Sequence, residues 1–222
     1  MGELLRLDQV TLRNQEGRAV FQALDWSLPS GGRIHLQGTS GQGASAFLRL
    51  CAGLAHPQEG TVFLDGRPLG PYTFDHPFLK RGGIGWVPTG GGLLANLDLR
   101  ANVALSLRFL RGHSRSQALE IAQEHLERAD LGALVDLRPH ALEPRDRWLG
   151  ALVRAAVSAP ELWLLDQPPE GMNHLPDCME AILKGAAANP GTAFLVVGSR
   201  LWSGVEQEVV HLEQGCIVPG GL

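Results

Sequence analysis

The residues best suited to chemistry are Gly38-Thr39-Ser40-Gly41-Gln42-Gly43-Ala44-Ser45, with Asp166 far along the chain. Glycines at the first and sixth places build a loop whose backbone N–H groups can wrap phosphates, and a hydroxyl at the eighth can ligate magnesium. A complete loop of this kind carries a lysine at the seventh place, bridging the terminal phosphates. Here that place is Ala44, followed by Ser45 and Ala46. The shape of a nucleotide site is kept and its strongest charge is gone. Taken alone, an ordinary glycine turn is an equally good reading of the segment.

The elements that must position these residues tip the balance. Arg33–Gln37 reads as a short strand entering the loop, and Ser45–Leu54 as a helix leaving it, with positions 47, 48, 50, 51 and 54 on its buried side. Strand, glycine turn and helix together aim free N–H groups and a helix N-terminus at an anion. Glu161-Leu162-Trp163-Leu164-Leu165-Asp166 is an apolar run ending in a carboxylate. That is the form of a buried parallel strand delivering an acid to magnesium beside phosphates. Leu4–Leu12 and Ala19–Leu28 alternate as an antiparallel edge sheet would. Thr192–Val197 reads as another buried strand, and Glu213-Gln214-Gly215 as the turn of a terminal hairpin. Ser114-Arg115-Ser116-Gln117 has capping-box spacing and predicts a helix to about Ala129.

In order and spacing the whole chain resembles the ATP-binding cassette (ABC) family, the motor subunits of membrane transporters. Glu59–Gly66 and Leu212–Gly215 are similar to the family's strand pairs. Phe78–Arg81, Ile84–Val87 and Leu99–Val103 resemble the small cassettes of lipid-transport and cell-division membrane complexes. The resemblance implies a P-loop NTPase of the ABC type over 1–222. It would be an α/β fold with a mixed core sheet, an antiparallel edge sheet and a helical subdomain inserted at about 97–158.

The same resemblance exposes the departures. The family's magnesium-sensing glutamine falls at Thr89, and its Leu-Ser-Gly-Gly-Gln signature on Leu142-Glu143-Pro144-Arg145-Asp146. The catalytic glutamate falls on Gln167 and the switch histidine on Ser199, while the adenine-stacking aromatic would stand near Asn14. Gly38, Ser40, Gly41, Gly43, Ser45 and Asp166 keep the expected chemical type. Losing the lysine removes a charge-assisted contact of about 1.5–3 kcal/mol. Gln167 cannot accept a proton from attacking water. Glu143 sets a carboxylate where a partner's triphosphate would come, and Pro144 has no N–H to offer. Arg49 lies a turn too deep in its helix to stand in for the lysine.

These substitutions imply a degenerate subunit with no catalytic residue assigned, binding ATP and magnesium weakly or not at all. If nucleotide binds, Ser45 and Asp166 would hold the metal. The implied partners are a transmembrane transporter subunit and a second cassette, in a homodimer or heterodimer, at the cytoplasmic face of the membrane. Docking is expected around Thr89–Leu97, in a groove lined by Leu93, Leu94 and Leu97. Two other readings stay open: an active ATPase with non-standard motifs, and a soluble adaptor.

Composition sets bounds. A chain of 222 residues with 44% hydrophobic content suits one domain with a full core. A net charge of −4 without a basic, aromatic-laced stripe argues against a general nucleic-acid binder. No apolar run reaches the roughly 20 residues a bilayer span needs, and Met1–Arg6 lacks a signal-peptide pattern. Cys51, Cys178 and Cys216 read as buried thiols rather than disulfides or metal ligands. Gly82-Gly83 and Gly90-Gly91-Gly92 bracket a strand and read as a tolerant surface loop, with a mobile loop as the alternative.

Overall fold

A computed structural model describes residues 2–38, 43–70, 75–169, 177–198, 208–213 and 215–219, the side chains of Cys178 and Met179 excepted. Two sheets share the work. The first is antiparallel and holds β1 (Glu3–Arg13), β2 (Ala19–Pro29), β4 (Glu59–Leu64) and β5 (Arg67–Pro68) in the order β2-β1-β4-β5. The second takes β3 (Arg33–Gln37), β6 (Ile84–Val87), β7 (Leu162–Asp166), β8 (Ala193–Gly198), β9 (Glu208–Glu213) and β10 (Cys216–Pro219), in the order β10-β9-β3-β8-β7-β6. Its strands run parallel except β10, which pairs antiparallel with β9.

The apolar runs at β7 and β8 are long because both of their faces are covered. Leu162 and Leu164 pack toward the antiparallel sheet and α1 (Ala44–Cys51), whereas Trp163 and Leu165 pack among the helices. On β8, Leu195 and Val197 join the first core, and Phe194 and Val196 the second. Trp163 and Phe194 are register partners and their rings stack 5.9 Å apart. Burying a side chain of this size stabilises by about 1.5–3 kcal/mol, so the alternation fixes which face each strand turns to which layer.

Between β6 and β7 the described elements are helical. They are α3 (Leu99–Arg111), α4 (Arg115–Arg128), 3-10 turns at Gly132–Leu134 and Pro139–Ala141, and α5 (Pro144–Ala156). A short α2 (Pro77–Lys80) precedes β6, and α6 (Asp177–Ala188) lies between β7 and β8. Asp98 caps α3 by accepting the Ala101 N–H at 2.7 Å. The expected capping box is present: Ser114 accepts from the Gln117 N–H, and the Gln117 side chain accepts from the Ser114 N–H.

β1 and β2 bulge where a side chain takes over the ladder's role. Gln9 and Ala23 have positive φ. The Gln9 N–H donates to Asp25 Oδ1 at 2.8 Å and the Ala23 N–H to Thr11 Oγ1 at 3.1 Å, so neither bulged donor is left bare.

Three expectations need correction. The helix after the loop ends at Cys51, and Leu54, expected inside, is 58% exposed. The Gly53 N–H turns back to Leu50 O and the Leu54 N–H to Arg49 O, which carries Leu54 off the apolar face. Cys51 is fully buried, but Cys216 sits exposed on the terminal strand. The side chain of Cys178 is outside the described residues.

The third correction concerns the glycine loop, which is not tolerant. Gly90, Gly91 and Gly92 all have positive φ, and a Cβ on Gly91 would stand 2.7 Å from the Arg147 carbonyl oxygen. Close approach and left-handed backbone together demand glycine there.

Candidate nucleotide site

Parallel pairing brings the carboxyl ends of β3, β6, β7 and β8 to one rim, where ligands bind in open α/β sheets. Gly38 follows β3 at this rim and is buried. Thr39, Ser40, Gly41 and Gln42 lie outside the described residues, as does Ser199. The loop resumes at Gly43, the N-cap of α1, with φ 97°. A Cβ on Gly43 would meet Val20 Cγ1 at 2.4 Å, so the antiparallel sheet presses directly on the loop. The Gly43 carbonyl accepts the Phe47 N–H at 2.8 Å, starting the helix.

Ala44 follows at 3% exposure, packed in the core with Phe47 and Leu48. Ser45 and Ala46 are half-buried. The Ser45 hydroxyl donates to Asp166 Oδ1 at 3.2 Å. Asp166 is 3% exposed at the end of β7. Among the described residues it has no ion-pair partner. A nearly buried carboxylate facing a hydroxyl, with no ion-pair partner among the described residues, is an oxygen donor set that a divalent cation fits. The phosphate side is a poorer fit, because the alanine offers no charge.

Gln167 follows Asp166 in a left-handed conformation, φ 44°, and its N–H donates to Val197 O at 2.8 Å. A non-glycine residue held there stores about 1–2 kcal/mol of strain. The β8 strand on the other side of that bond therefore fixes where the Gln167 amide stands.

Asn14, at the place where an adenine-stacking aromatic would be sought, is spent on a turn. Its Oδ1 accepts the N–H groups of Glu16 and Arg18, and its carbonyl accepts that of Gly17. This turn closes the β1–β2 hairpin and offers no ring.

Thr89 is exposed in the turn after β6. Glu143 is exposed at the N-cap of α5, where its side chain makes no capping bond and Pro144 occupies the first helical place. The structure thus joins Ser45 to Asp166, with Gln167 next in the chain, while Glu143 is the N-cap of α5 and Thr89 stands in the turn whose Gly91 and Gly92 meet that helix.

Two further residues of that region are not singled out by the sequence patterns, and only one of them leaves a mark there. Arg154 on α5 donates to the Gly92 and Gly91 carbonyls at 2.8 and 3.2 Å, and burial lowers its pKa from the usual arginine value. Asn102 on α3 is fully buried, with its carboxamide bonded to the backbone of Leu94, Leu97 and Asp98. An arginine on a helix face reads as a solvated charge, and only its long-range carbonyl partners reveal the clamp. An asparagine inside an apolar stripe is the one signal the sequence did carry.

The comparison with known families agrees with this geometry. The model describing the ABC transporter family matches residues 21–170, from the second strand through the magnesium-type aspartate. The chain belongs to the ABC transporter family. Among curated relatives of this ABC chain is the lipoprotein-releasing system ATP-binding protein LolD of Shewanella frigidimarina. It is 30% identical over 199 residues, covering 87% of this chain and 83% of that one. The sulfate/thiosulfate import ATP-binding protein CysA of Synechococcus elongatus is 35% identical over 151 residues, 67% of this chain and 42% of its own length. A solved dimeric ATP-binding cassette in a post-hydrolysis state, bound to ADP and Pi, superposes with a TM-score of 0.81 at 25% identity, covering 96% of both chains. The expected fold, a mixed core sheet with an antiparallel edge sheet and helices, is the ABC cassette fold.

Proposed function

We propose that this ABC chain is a catalytically degenerate cassette subunit of a membrane transport complex of the lipoprotein-releasing kind, retained for attachment rather than for ATP hydrolysis. The Ser45–Asp166 contact, flanked by Ala44 and Gln167, carries the reading. The metal side of the site persists, while the neighbouring places for a phosphate-binding charge and a base hold neutral side chains. Bound nucleotide would be held by the backbone of Gly38–Ser45, with magnesium on Ser45 and Asp166. Magnesium would supply charge neutralisation at the phosphates. Among the described residues at the site, Ser45 and Gln167 would add hydrogen bonds, and neither is a cation or a general base.

In the proposed complex the chain lies at the cytoplasmic face, docks on a transmembrane subunit and pairs with a second cassette. The docking surface is assigned to the 97–158 helical subdomain and the loop before it. Support comes from Leu94, which is 49% exposed although the Asn102 carboxamide pins its backbone. Leu97 is half-buried, and Leu93 packs against the helical core, so Leu93 supports this surface more than it lines it.

The deciding experiment is titration calorimetry of magnesium-ATP against the chain and its Ala44→Lys variant. The reading expects binding in the high micromolar range or weaker. The lysine should tighten it about ten- to a hundredfold. Tight binding by the unaltered chain would overturn it. A second reading, an active ATPase with non-standard motifs, draws equal support from the intact Ser45–Asp166 pair and from relatives named as ATP-binding proteins.

A further inference from the structure

We propose that the C-terminal end of α3 and the turn into α4 form a contact site for an anionic lipid surface. From Leu99 to Leu119 the chain has four arginines and no Asp or Glu, in a protein whose net charge is −4. Arg108, Arg111 and Arg115 fall within one short stretch of this span, with His113 between them. All three arginines are exposed. Phe109 stands among them at 76% exposure, the most exposed large hydrophobic side chain of the described residues, with the Arg108 guanidinium 5.9 Å from its ring centroid.

Helix stability accounts for only part of this. Arg108 and Arg111 suit the negative end of the α3 dipole, and Arg111 also donates to the Ser158 carbonyl. Arg115 does the opposite. It is the first residue of α4, whose first turn holds no acid, so the helix dipole repels its charge. Nor does the nucleotide site account for the cluster, because it lies at the other rim of the sheet. Leu110 faces Gly82 just before β6, and Ser158 lies just before β7, at the amino ends of strands whose carboxyl ends carry the site. Among the described residues leading into this rim, Asp65 and Glu161 are both paired with Arg81, and Asp75 with Lys80. The first acid downstream is Glu120, well inside α4.

Cations around a projecting aromatic match the interfacial region of a bilayer, with anionic headgroups outside and apolar chains beneath. A nucleic acid or an acidic peptide would use the arginines without needing the phenylalanine in the interface. The contact rests on the reading of the chain as a membrane-peripheral subunit and would add a second, weaker hold beside the transmembrane partner.

The test is sedimentation of the purified full chain, without nucleotide or partner, on vesicles of phosphatidylglycerol and phosphatidylcholine in equal parts. Phosphatidylcholine vesicles serve as the control. Binding is expected only to the anionic vesicles. It should fall about fivefold for each of Arg108→Gln and Arg115→Gln. Phe109→Ser should lower it about tenfold. Salt near molar strength, with a Debye length of about 3 Å, should release the chain. Each variant's melting curve controls for folding. Equal binding to neutral vesicles, or no binding at all, overturns the proposal. So would a loss with the arginine variants but not with Phe109→Ser, which marks a polyanion site instead. None of these outcomes depends on ATP affinity or on partner docking, so the earlier reading stands or falls separately.

Discussion

The carboxamide of Asn102 holds both backbone groups of Leu94: Oδ1 accepts the Leu94 N–H at 2.7 Å, and Nδ2 donates to the Leu94 carbonyl at 3.1 Å. The leucine is thereby fixed with its side chain half in solvent. A rigid apolar knob is what a docking surface needs, since little ordering entropy remains to be lost on binding.

Asn102→Ala should lower stability by about 1–3 kcal/mol, because the Leu94 N–H and the loop carbonyls lose a buried partner. Urea unfolding reads this directly. Leu94→Asp should leave the urea midpoint nearly unchanged and release the membrane partner on co-purification, through loss of apolar burial worth about 1.5–3 kcal/mol. Ala44→Ser and Gln167→Ala should leave that attachment intact. Retention of the partner by Leu94→Asp would move the docking surface elsewhere.

Gly91 and Arg154 test the clamp between α5 and the loop after β6. Gly91→Ala meets both a left-handed φ of 87° and the Arg147 carbonyl oxygen at 2.7 Å. A loss of about 2 kcal/mol or more is expected, since strain and overpacking add. Arg154→Met removes two bonds to carbonyls and should cost about 1–3 kcal/mol. Gly90→Ala, with open space around its Cβ position, should cost less than Gly91→Ala. Equal losses at the two glycines would mean that backbone strain alone sets the cost.

Cys51 and Cys216 should differ in reactivity. Burial pushes the Cys51 thiol far above its ordinary value of 9.0, whereas Cys216 is exposed. A thiol reagent followed by peptide mapping should label Cys216 in the native protein and Cys51 only after unfolding. The linkage has a definite sign. The folded chain keeps the Cys51 proton when the unfolded chain would lose it, so this group's contribution to stability is intact below about pH 9 and falls as pH rises further. Native labelling of Cys51 would contradict the packing of α1.

Local chemistry made much of this fold legible. The alternation of β1 and β2, the apolar runs of β7 and β8 and the Ser114 capping box are each written in a handful of neighbouring residues. What stayed hidden depends on pairs far apart in sequence. The carbonyls that Arg154 binds lie 62 and 63 residues away, and the Gly43–Val20 contact joins the loop to the other sheet. Leu54 and Cys216 stand exposed where the pattern predicts burial, because an apolar residue beyond a helix end or on a terminal strand carries no mark of which way the chain turns. At the site, the Ser45–Asp166 pairing followed from motif order, whereas the left-handed Gln167 did not, since its conformation is imposed by the bond to Val197.

Steady-state ATP turnover by the purified chain, alone and with its native partners restored, tests the central claim most directly. The account predicts no hydrolysis attributable to this chain's site, and no more than a trace after Gln167→Glu, because base, lysine and switch residue act as a unit. Asp166→Asn should then change nothing. Turnover on the order of 1 per second by the chain alone, abolished by Asp166→Asn, would contradict it and establish a working ATPase built on unusual residues.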